Sequence, residues 1–304
     1  MAPKVSVIIP TYNNALLLPE TLNSVLRQSC KDFELIVVDD GSTDDTAEIV
    51  KNDYPQVRYQ CQPNRGPAAA RNAGVRLAQG EYIAFCDHDD VWNEGHLRAL
   101  VNYLSSHPNV GLAFDNAQYF GKAESPPWLH LGQEATDLLL KGPVSPAVLL
   151  WRYPVATMSV VMIKKKFFEQ LGGLNERILA LDDLHFYLRL AARGEVRYVD
   201  YVGCRKRMTR DNLSQQVNMK EVNVQYLEDL WRYYPEVVNA IGPLNFRFRL
   251  ARKYFKLGRQ YRQNGASELA GEMFWNAYKT NVFNLRYLWC AARCTRWAWI
   301  RREL

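Results

Sequence analysis

The sequence predicts an α/β fold, with a Rossmann-like, mostly parallel central sheet flanked by helices, followed by a helical C-terminal appendage. Three observations predict it. Three short apolar runs each end in polar residues: Val5 to Ile9 before Pro10-Thr11-Tyr12-Asn13, Phe33 to Val38 before Asp39-Asp40-Gly41-Ser42, and Tyr82 to Cys86 before Asp87-His88-Asp89-Asp90. These runs alternate with stretches of helical period, the pattern of a doubly wound sheet. From about Val217 the chain reads helical to its end, broken near Gly242-Pro243 and Asn264-Gly265.

The elements follow in order. Strand 5–9 leads to a helix from Leu16 to Gln28, then strand 33–38. A helix is expected from Thr43 to Lys51, capped by Ser42 or Thr43, with Asp44 and Asp45 in the first turn where the helix dipole favours acids. Val57 to Gln60 is a short strand. Pro67 suits the first position of a helix that runs to Ala78 and is ended by Gly80. Strand 81–86, a helix from Glu94 to Ser105 and a short strand at Val110 to Phe114 complete the regular part. Residues 120–150 carry many prolines and glycines and read as a long loop with short helices. Beyond it lie a strand at Thr157 to Ile163, a helix from Lys164 to Leu171 closed by Gly172-Gly173, a helix from Asp182 to Arg193 stopped by Gly194, and a strand at Val196 to Val202.

Composition bounds the class. With 304 residues and 48% hydrophobic residues the chain has ample core for a globular protein. Six scattered cysteines form no CxxC pair and no metal-ligand spacing, which predicts free thiols in a reducing compartment. The N-terminus shows no signal-peptide pattern, and no apolar run reaches the roughly 20 residues of a spanning helix; a cytoplasmic location is expected. Charge is uneven. From Asn245 onward thirteen basic residues face three acidic ones, so the rest of the +6 chain carries a net −4. The expected organisation is a catalytic domain at 1–216, with halves at 1–115 and 116–216, and a basic, aromatic helical region at 217–304.

In an open parallel sheet, ligands bind beyond the carboxyl ends of the strands. The three polar ends therefore aim an aromatic ring and two acidic clusters into one pocket, which suits a base, a ribose and a metal-bound diphosphate. Asp87-His88-Asp89-Asp90 packs like charges together, and a hard cation repays that arrangement, using one or two carboxylates plus phosphate oxygens. A solvated turn with Asp90 or Asn93 capping the next helix accounts for the same residues. His88 is a neighbour of the site and not a metal ligand. Asp39-Asp40 offers an acceptor for a base or ribose, although an acidic turn explains Ser42 to Asp45. Tyr12 is placed to stack on a base, or to sit half-buried in a loop. In Arg65-Gly66-Pro67-Ala68-Ala69-Ala70-Arg71-Asn72 the small residues allow tight helix packing, and Arg71 and Asn72 reach towards phosphate or ribose unless they lie on the surface. Asp182-Asp183 opens a helix; it caps that helix or supplies a base for an acceptor hydroxyl.

Read together, VSVIIPTYNN, FELIVVDDGSTDDT, NRGPAAARNAG, GEYIAFCDHDD and GGLNERILALDDLHFYLRL resemble the family 2 glycosyltransferases of the GT-A fold. The resemblance covers residues 4–115 strongly and 155–215 moderately. It implies an inverting transferase with a nucleotide-sugar donor, UDP by default, and Mn²⁺ or Mg²⁺. Pro10, Thr11, Tyr12 and Asp40 would hold the base with Asp39 beside them. Arg71 and Asn72 would lie near the diphosphate and ribose. Asp87, with His88 adjacent, would face the ribose side of the donor, and Asp89, with Asp87 and Asp90, would hold the metal. Asp183 would be the base, with Asp182 where glutamate is common. Thr209 stands where many relatives carry histidine, so Arg207 or Arg210 would substitute.

The implied acceptor is a cell-surface glycan or its lipid-linked precursor. A nucleotidyltransferase would show a Gly-rich loop where Pro10 to Asn13 stands, and a non-catalytic nucleotide-sugar-binding or scaffold protein is the remaining rival. The basic tail at 245–304 is expected to pack on the core or to touch an anionic membrane. No nucleic-acid motif is present, so no nucleic-acid partner is expected.

Overall fold

The computed structural model describes residues 3–121, 128–208 and 217–294. The chain divides into two compact units, residues 1–212 and 213–304. The expected role of Thr209 and Arg210, and the C-terminal Trp297 and Trp299, lie outside the described residues.

The first unit is built on a mixed, mostly parallel sheet. Its strands are β1 (Val5–Thr11), β2 (Phe33–Asp39), β3 (Arg58–Cys61), β4 (Tyr82–Phe85), β5 (Val91–Trp92), β6 (Val110–Phe120), β7 (Trp128–Leu129), β8 (Val161–Lys164) and β9 (Glu195–Arg207). Across the sheet the order is β3-β2-β1-β4-β8-β6-β9-β5, with β7 on the edge of β6. Strands β1 to β4 are parallel, β8 runs antiparallel between β4 and β6, and β6 and β9 are parallel. Every residue of β1 is buried, as expected for a central strand covered on both faces.

Helices fill the crossovers: α1 (Leu18–Leu26), α2 (Thr46–Asp53), α3 (Pro67–Leu77), α4 (His96–Ser106), α5 (Gln133–Leu140), α6 (Pro146–Arg152), α7 (Lys165–Gln170) and α8 (Asp182–Ala191). Helix α3 lies so close to β1 that a Cβ on Gly74 would stand 2.4 Å from Ile8 Cγ2. This close approach needs glycine, and it brings the preceding turn of α3, with Arg71, to the end of the sheet.

The structure departs from the sequence expectations at several places. Helix α2 begins at Thr46, because Ser42 and Thr43 are spent on the neighbouring loop: Asn13 N donates to Ser42 Oγ at 2.8 Å and Thr43 N to Asn13 Oδ1 at 2.7 Å. Asp44 then accepts from Thr46 N at 3.1 Å. Strand β6 continues to Phe120 and β9 to Arg207, each several residues beyond its apolar run, because the two pair with one another along that length. Their pairing shifts register around Asp115-Asn116. There Asp115 Oδ2 meets His96 Nδ1 at 2.8 Å, with both side chains fully buried. A Cβ on Gly203 of β9 would stand 1.9 Å from that carboxylate oxygen, so only glycine lets β9 pass. The expected strand at 157–163 is a 3-10 turn at Met158–Val160 followed by β8.

The second unit is helical: α9 (Met219–Tyr233), α10 (Pro235–Ile241), α11 (Pro243–Gln263), α12 (Ser267–Thr280) and α13 (Leu285–Cys294). Its buried centre includes Ala270, Phe274, Trp275, Cys290 and Ala291. Trp231, Phe248, Phe283 and Trp289 stay exposed. Among the described residues no helix is long and apolar enough to cross a membrane.

Candidate active site

The carboxyl ends of β1, β2 and β4 lie side by side in the sheet. At β1, the Thr11 hydroxyl is buried without a hydrogen-bond partner, and Tyr12 is 44% exposed. An orphaned hydroxyl beside an exposed ring is what an open ligand pocket presents. Pro10 is buried within β1, one residue before the strand's end.

At β2 the two aspartates have structural partners. Asp39 accepts from Ser42 N at 2.8 Å and from the Tyr59 hydroxyl at 2.5 Å. Asp40 gathers the 62–66 loop, accepting from Gln62 Nε2 at 2.7 Å, Arg65 N at 3.0 Å and Gly66 N at 2.7 Å. Asn72 is similarly occupied: its amide donates to Leu174 O and Glu176 Oε1, both at 3.0 Å, and accepts from Leu174 N at 2.9 Å. It clamps the Gly172-Gly173 loop, whose other side is held by Arg189 through Leu171 O at 2.9 Å and Gly173 O at 2.5 Å. His88 braces two loops, with its Nδ1 accepting from Tyr12 N at 3.3 Å. Burial lowers its pKa, which keeps that nitrogen free to accept.

The centre of the site is Arg71. Its guanidinium is buried and forks between Asp87 Oδ1 at 2.7 Å and Asp182 Oδ2 at 3.3 Å. Burial alone would lower its pKa, but Asp87 and Asp182 more than reverse this. One cation thus ties the end of β4 to the start of α8. Asp87 also accepts from Thr157 Oγ1 at 2.7 Å. Burial works against its charge, yet Arg71, Lys206 and the Thr157 hydroxyl hold it below the usual carboxylate range.

The other acids are pushed the opposite way. Asp90 is fully enclosed, accepting from Ser159 Oγ at 2.7 Å and Arg207 N at 3.0 Å. Burial, opposed by Lys206 and reinforced by Asp87 and Asp89, raises it to about 7. Asp89 rises to about 6 through burial and the Asp87 charge. Asp182 rises to about 6 through burial, opposed by Arg71 and reinforced by Asp183. Asp183 is raised by burial, against the Leu184 amide, Arg71 and the Tyr153 hydroxyl. Leu181, immediately before these two acids, holds a left-handed backbone at φ 65, a strained geometry that aims the first turn of α8.

This arrangement answers whether the residues fit a divalent cation. Among the described residues no cluster of three or more His, Cys, Asp or Glu side chains has ligating geometry. Asp90 is saturated and Asp87 is taken by Arg71 and Thr157, so Asp89 is the carboxylate left to bind. One hard oxygen donor, raised in pKa by burial and by the Asp87 charge, fits a cation completed by diphosphate oxygens.

Four participants escape the sequence reading. Lys206 on β9 is half-buried; desolvation lowers its pKa, but Asp90, Asp87 and Asp89 more than reverse this. Its place past the apolar part of β9 gave no signal. Thr157 and Ser159 gave only small polar residues at a strand start. Tyr153, left-handed at φ 49 after α6, donates its hydroxyl to Asp183 Oδ2 at 3.1 Å and Oδ1 at 3.3 Å.

A mostly parallel sheet of this order, with buried acids and an arginine at its carboxyl ends, defines a glycosyltransferase of the GT-A type. The chain belongs to glycosyl transferase family 2, whose model matches residues 6–172, more than half its length. An uncharacterized glycosyltransferase of Rickettsia conorii is 32% identical over 200 residues, covering 65% of this chain and 32% of that one. A GalNAc(5)-diNAcBac-PP-undecaprenol beta-1,3-glucosyltransferase of Campylobacter jejuni is 40% identical over 104 residues, 33% of this chain and 34% of that one. The chain spans about a third of the length of each of these relatives. Among solved structures, S. aureus TarS 1-349 with UDP-GlcNAc has a TM-score of 0.67 at 19% identity, covering 96% of this chain and 88% of that one. The mannosyltransferase PcManGT of Pyrobaculum calidifontis with GDP-Man and Mn²⁺ has a TM-score of 0.58 at 22% identity, covering 98% and 88%. At these identities the two structures show the fold.

Proposed function

We propose that this glycosyltransferase inverts, moving a sugar from a nucleotide-diphosphate sugar, by preference a UDP-sugar, to a hydroxyl of a glycan or lipid-linked acceptor. The observation that carries the reading is Arg71 bridging Asp87 and Asp182, which puts a cation between the donor acids of β4 and the acids of α8. Asp183 takes the proton from the acceptor hydroxyl; burial raises its pKa, which makes it a stronger base than an exposed carboxylate. The acceptor oxygen bonds to the sugar C1 while the bond from C1 to the diphosphate oxygen breaks, and the electron pair leaves with the diphosphate. Arg71 and Lys206 face that developing charge. A divalent cation held by Asp89 would supply further Lewis-acid stabilisation to the leaving diphosphate. Thr11, Tyr12 and Asp40 line the base end of the donor pocket.

The undecaprenol-linked acceptor in the name of the Campylobacter relative supports a cell-surface glycan or its lipid-linked precursor. Exposed Trp231, Phe248, Phe283 and Trp289, amid the basic residues of the second unit, support a peripheral contact with an anionic membrane.

Thermal unfolding against UDP-, GDP-, dTDP- and CMP-sugars, with and without Mn²⁺, tests the reading. A donor at a hundredfold excess over its Kd adds about 2.7 kcal/mol, a rise of about 5–10 °C for a unit of this size. The expected result is a Mn²⁺-dependent rise with UDP-sugars. No rise with any donor at millimolar concentration would favour a chain that no longer binds nucleotide sugars.

Tyr153→Phe probes the base. The lost hydroxyl stabilises the ionised form of Asp183, so its removal raises the Asp183 pKa. The acid limb of the kcat profile should move to higher pH by about one unit or more, since a hydrogen bond to a charged group contributes about 1.5–3 kcal/mol. An unmoved limb would show that Tyr153 does not set the ionisation of the base.

A further inference from the structure

Strand β6 outruns its apolar segment and ends in an aromatic cluster that the chemistry above does not use. Tyr119 pairs with Trp128 across β6 and β7 and with Lys206 across β6 and β9. The Tyr119 and Trp128 rings stack at 5.2 Å with 22° between their planes. Tyr119 thus covers one face of the indole, yet Trp128 remains 40% exposed, and Leu129 beside it is 47% exposed.

The cluster is fixed to the α8 acids by a continuous set of hydrogen bonds. His130 joins its Nδ1 to the Tyr119 hydroxyl at 3.0 Å and its Nε2 to Tyr153 O at 3.3 Å. A ring nitrogen facing a carbonyl must carry the proton, so Nε2 donates and Nδ1 accepts from the tyrosine. Burial lowers the His130 pKa, in keeping with a neutral ring. Tyr153 in turn donates to Asp183. A rigid aromatic surface is therefore linked, through His130 and Tyr153, to the carboxylate that the proposed reaction uses as base.

We infer that Trp128, backed by Tyr119 and positioned by His130 and Tyr153, is a platform for a pyranose ring of the acceptor. The inference rests on the reading of Asp183 as the base. A pyranose presents one face of C–H bonds, which packs on the electron-rich face of an indole, while its hydroxyls remain free for polar neighbours. An acyclic polyol offers no such face. The acceptor class that fits is a glycan whose sugar ring lies at or next to the reacting hydroxyl.

Saturation-transfer difference NMR on the full chain tests this, with methyl pyranosides of glucose, galactose, mannose and N-acetylglucosamine as ring probes and ribitol as the acyclic control. At least one pyranoside should receive saturation on the protons of one ring face. Trp128→Ala should remove that signal, Trp128→Phe should keep most of it, and the donor-induced thermal shift should be unchanged in both variants. Signals that survive Trp128→Ala, ribitol signals equal to those of the pyranosides, or no pyranoside signal in a chain that does show the donor shift would each overturn the platform. A chain without the donor shift would overturn the reading of the site instead.

Discussion

Asp183→Asn is expected to lower kcat by about 10²–10⁴-fold, the contribution of a positioned general base, while the donor-induced thermal shift survives. The substitution preserves shape, and the amide oxygen can still accept from the Tyr153 hydroxyl, which lies 3.1 Å from one carboxylate oxygen in the native site. What is lost is the ability to hold a proton taken from the acceptor. Sugar transfer and donor binding should therefore separate in steady-state rates and thermal melts of the same preparation. Asp182→Asn makes the contrast. Its carboxylate belongs to Arg71 at 3.3 Å, so its loss should weaken stability and donor response more than it changes the pH profile. Transfer at the wild-type rate in Asp183→Asn would remove that residue from the mechanism.

The second large effect is on stability. Arg71→Leu strands the buried carboxylate of Asp182 and the half-buried one of Asp87, and removing one partner from a buried charge network costs about 3–5 kcal/mol, a fall in Tm of about 6–20 °C for a unit of this size. The pH dependence identifies the cause. In the native protein Asp87 lies below its unfolded pKa, so its stabilisation is present above the unfolded value and is lost as pH falls through the folded one. Without Arg71 the largest group opposing burial is gone, Lys206 and the Thr157 hydroxyl alone remain against it, and the Asp87 pKa moves up, so less of its stabilisation is left at high pH. Asp182, already at about 6, contributes in the same direction: its stabilisation is full below the unfolded pKa and is lost as pH rises through the folded one. The Tm gap between wild type and Arg71→Leu should therefore narrow from pH 8 to pH 5. A gap constant with pH would mean that Arg71 acts by packing. Arg71→Lys keeps one charge without the fork and should retain the fold while losing most of the donor response.

The ends of β1, β2 and β4 were legible because buried parallel strands are continuous apolar runs, and polar residues mark where they stop. Helix α3 was legible from Pro67 and its run of small residues. Strands β6 and β9 were legible only in their apolar parts. Their later residues, such as Asn116, Arg205 and Lys206, are placed by pairing with a distant strand, and no local pattern carries that information. Lys206 was missed for that reason. Tyr153 was missed because its contact with Asp183 is tertiary. The roles of Asp39, Asp40 and Asn72 were ambiguous for another reason: a carboxylate or amide that gathers a loop has the same local sequence as one that meets a ligand.

The loops that follow β1 and β2 are laced by Asn13 N to Ser42 Oγ, Thr43 N to Asn13 Oδ1, Asn14 N to Thr46 Oγ1 and Ala15 N to Asp44 Oδ2. Each bond fixes a backbone amide in one loop with a side chain from the other. The conformational entropy of this rim is surrendered when the chain folds, about 1–2 kcal/mol for each residue held. A molecule that docks against the rim meets a surface already in shape, and its affinity is not reduced by ordering these residues.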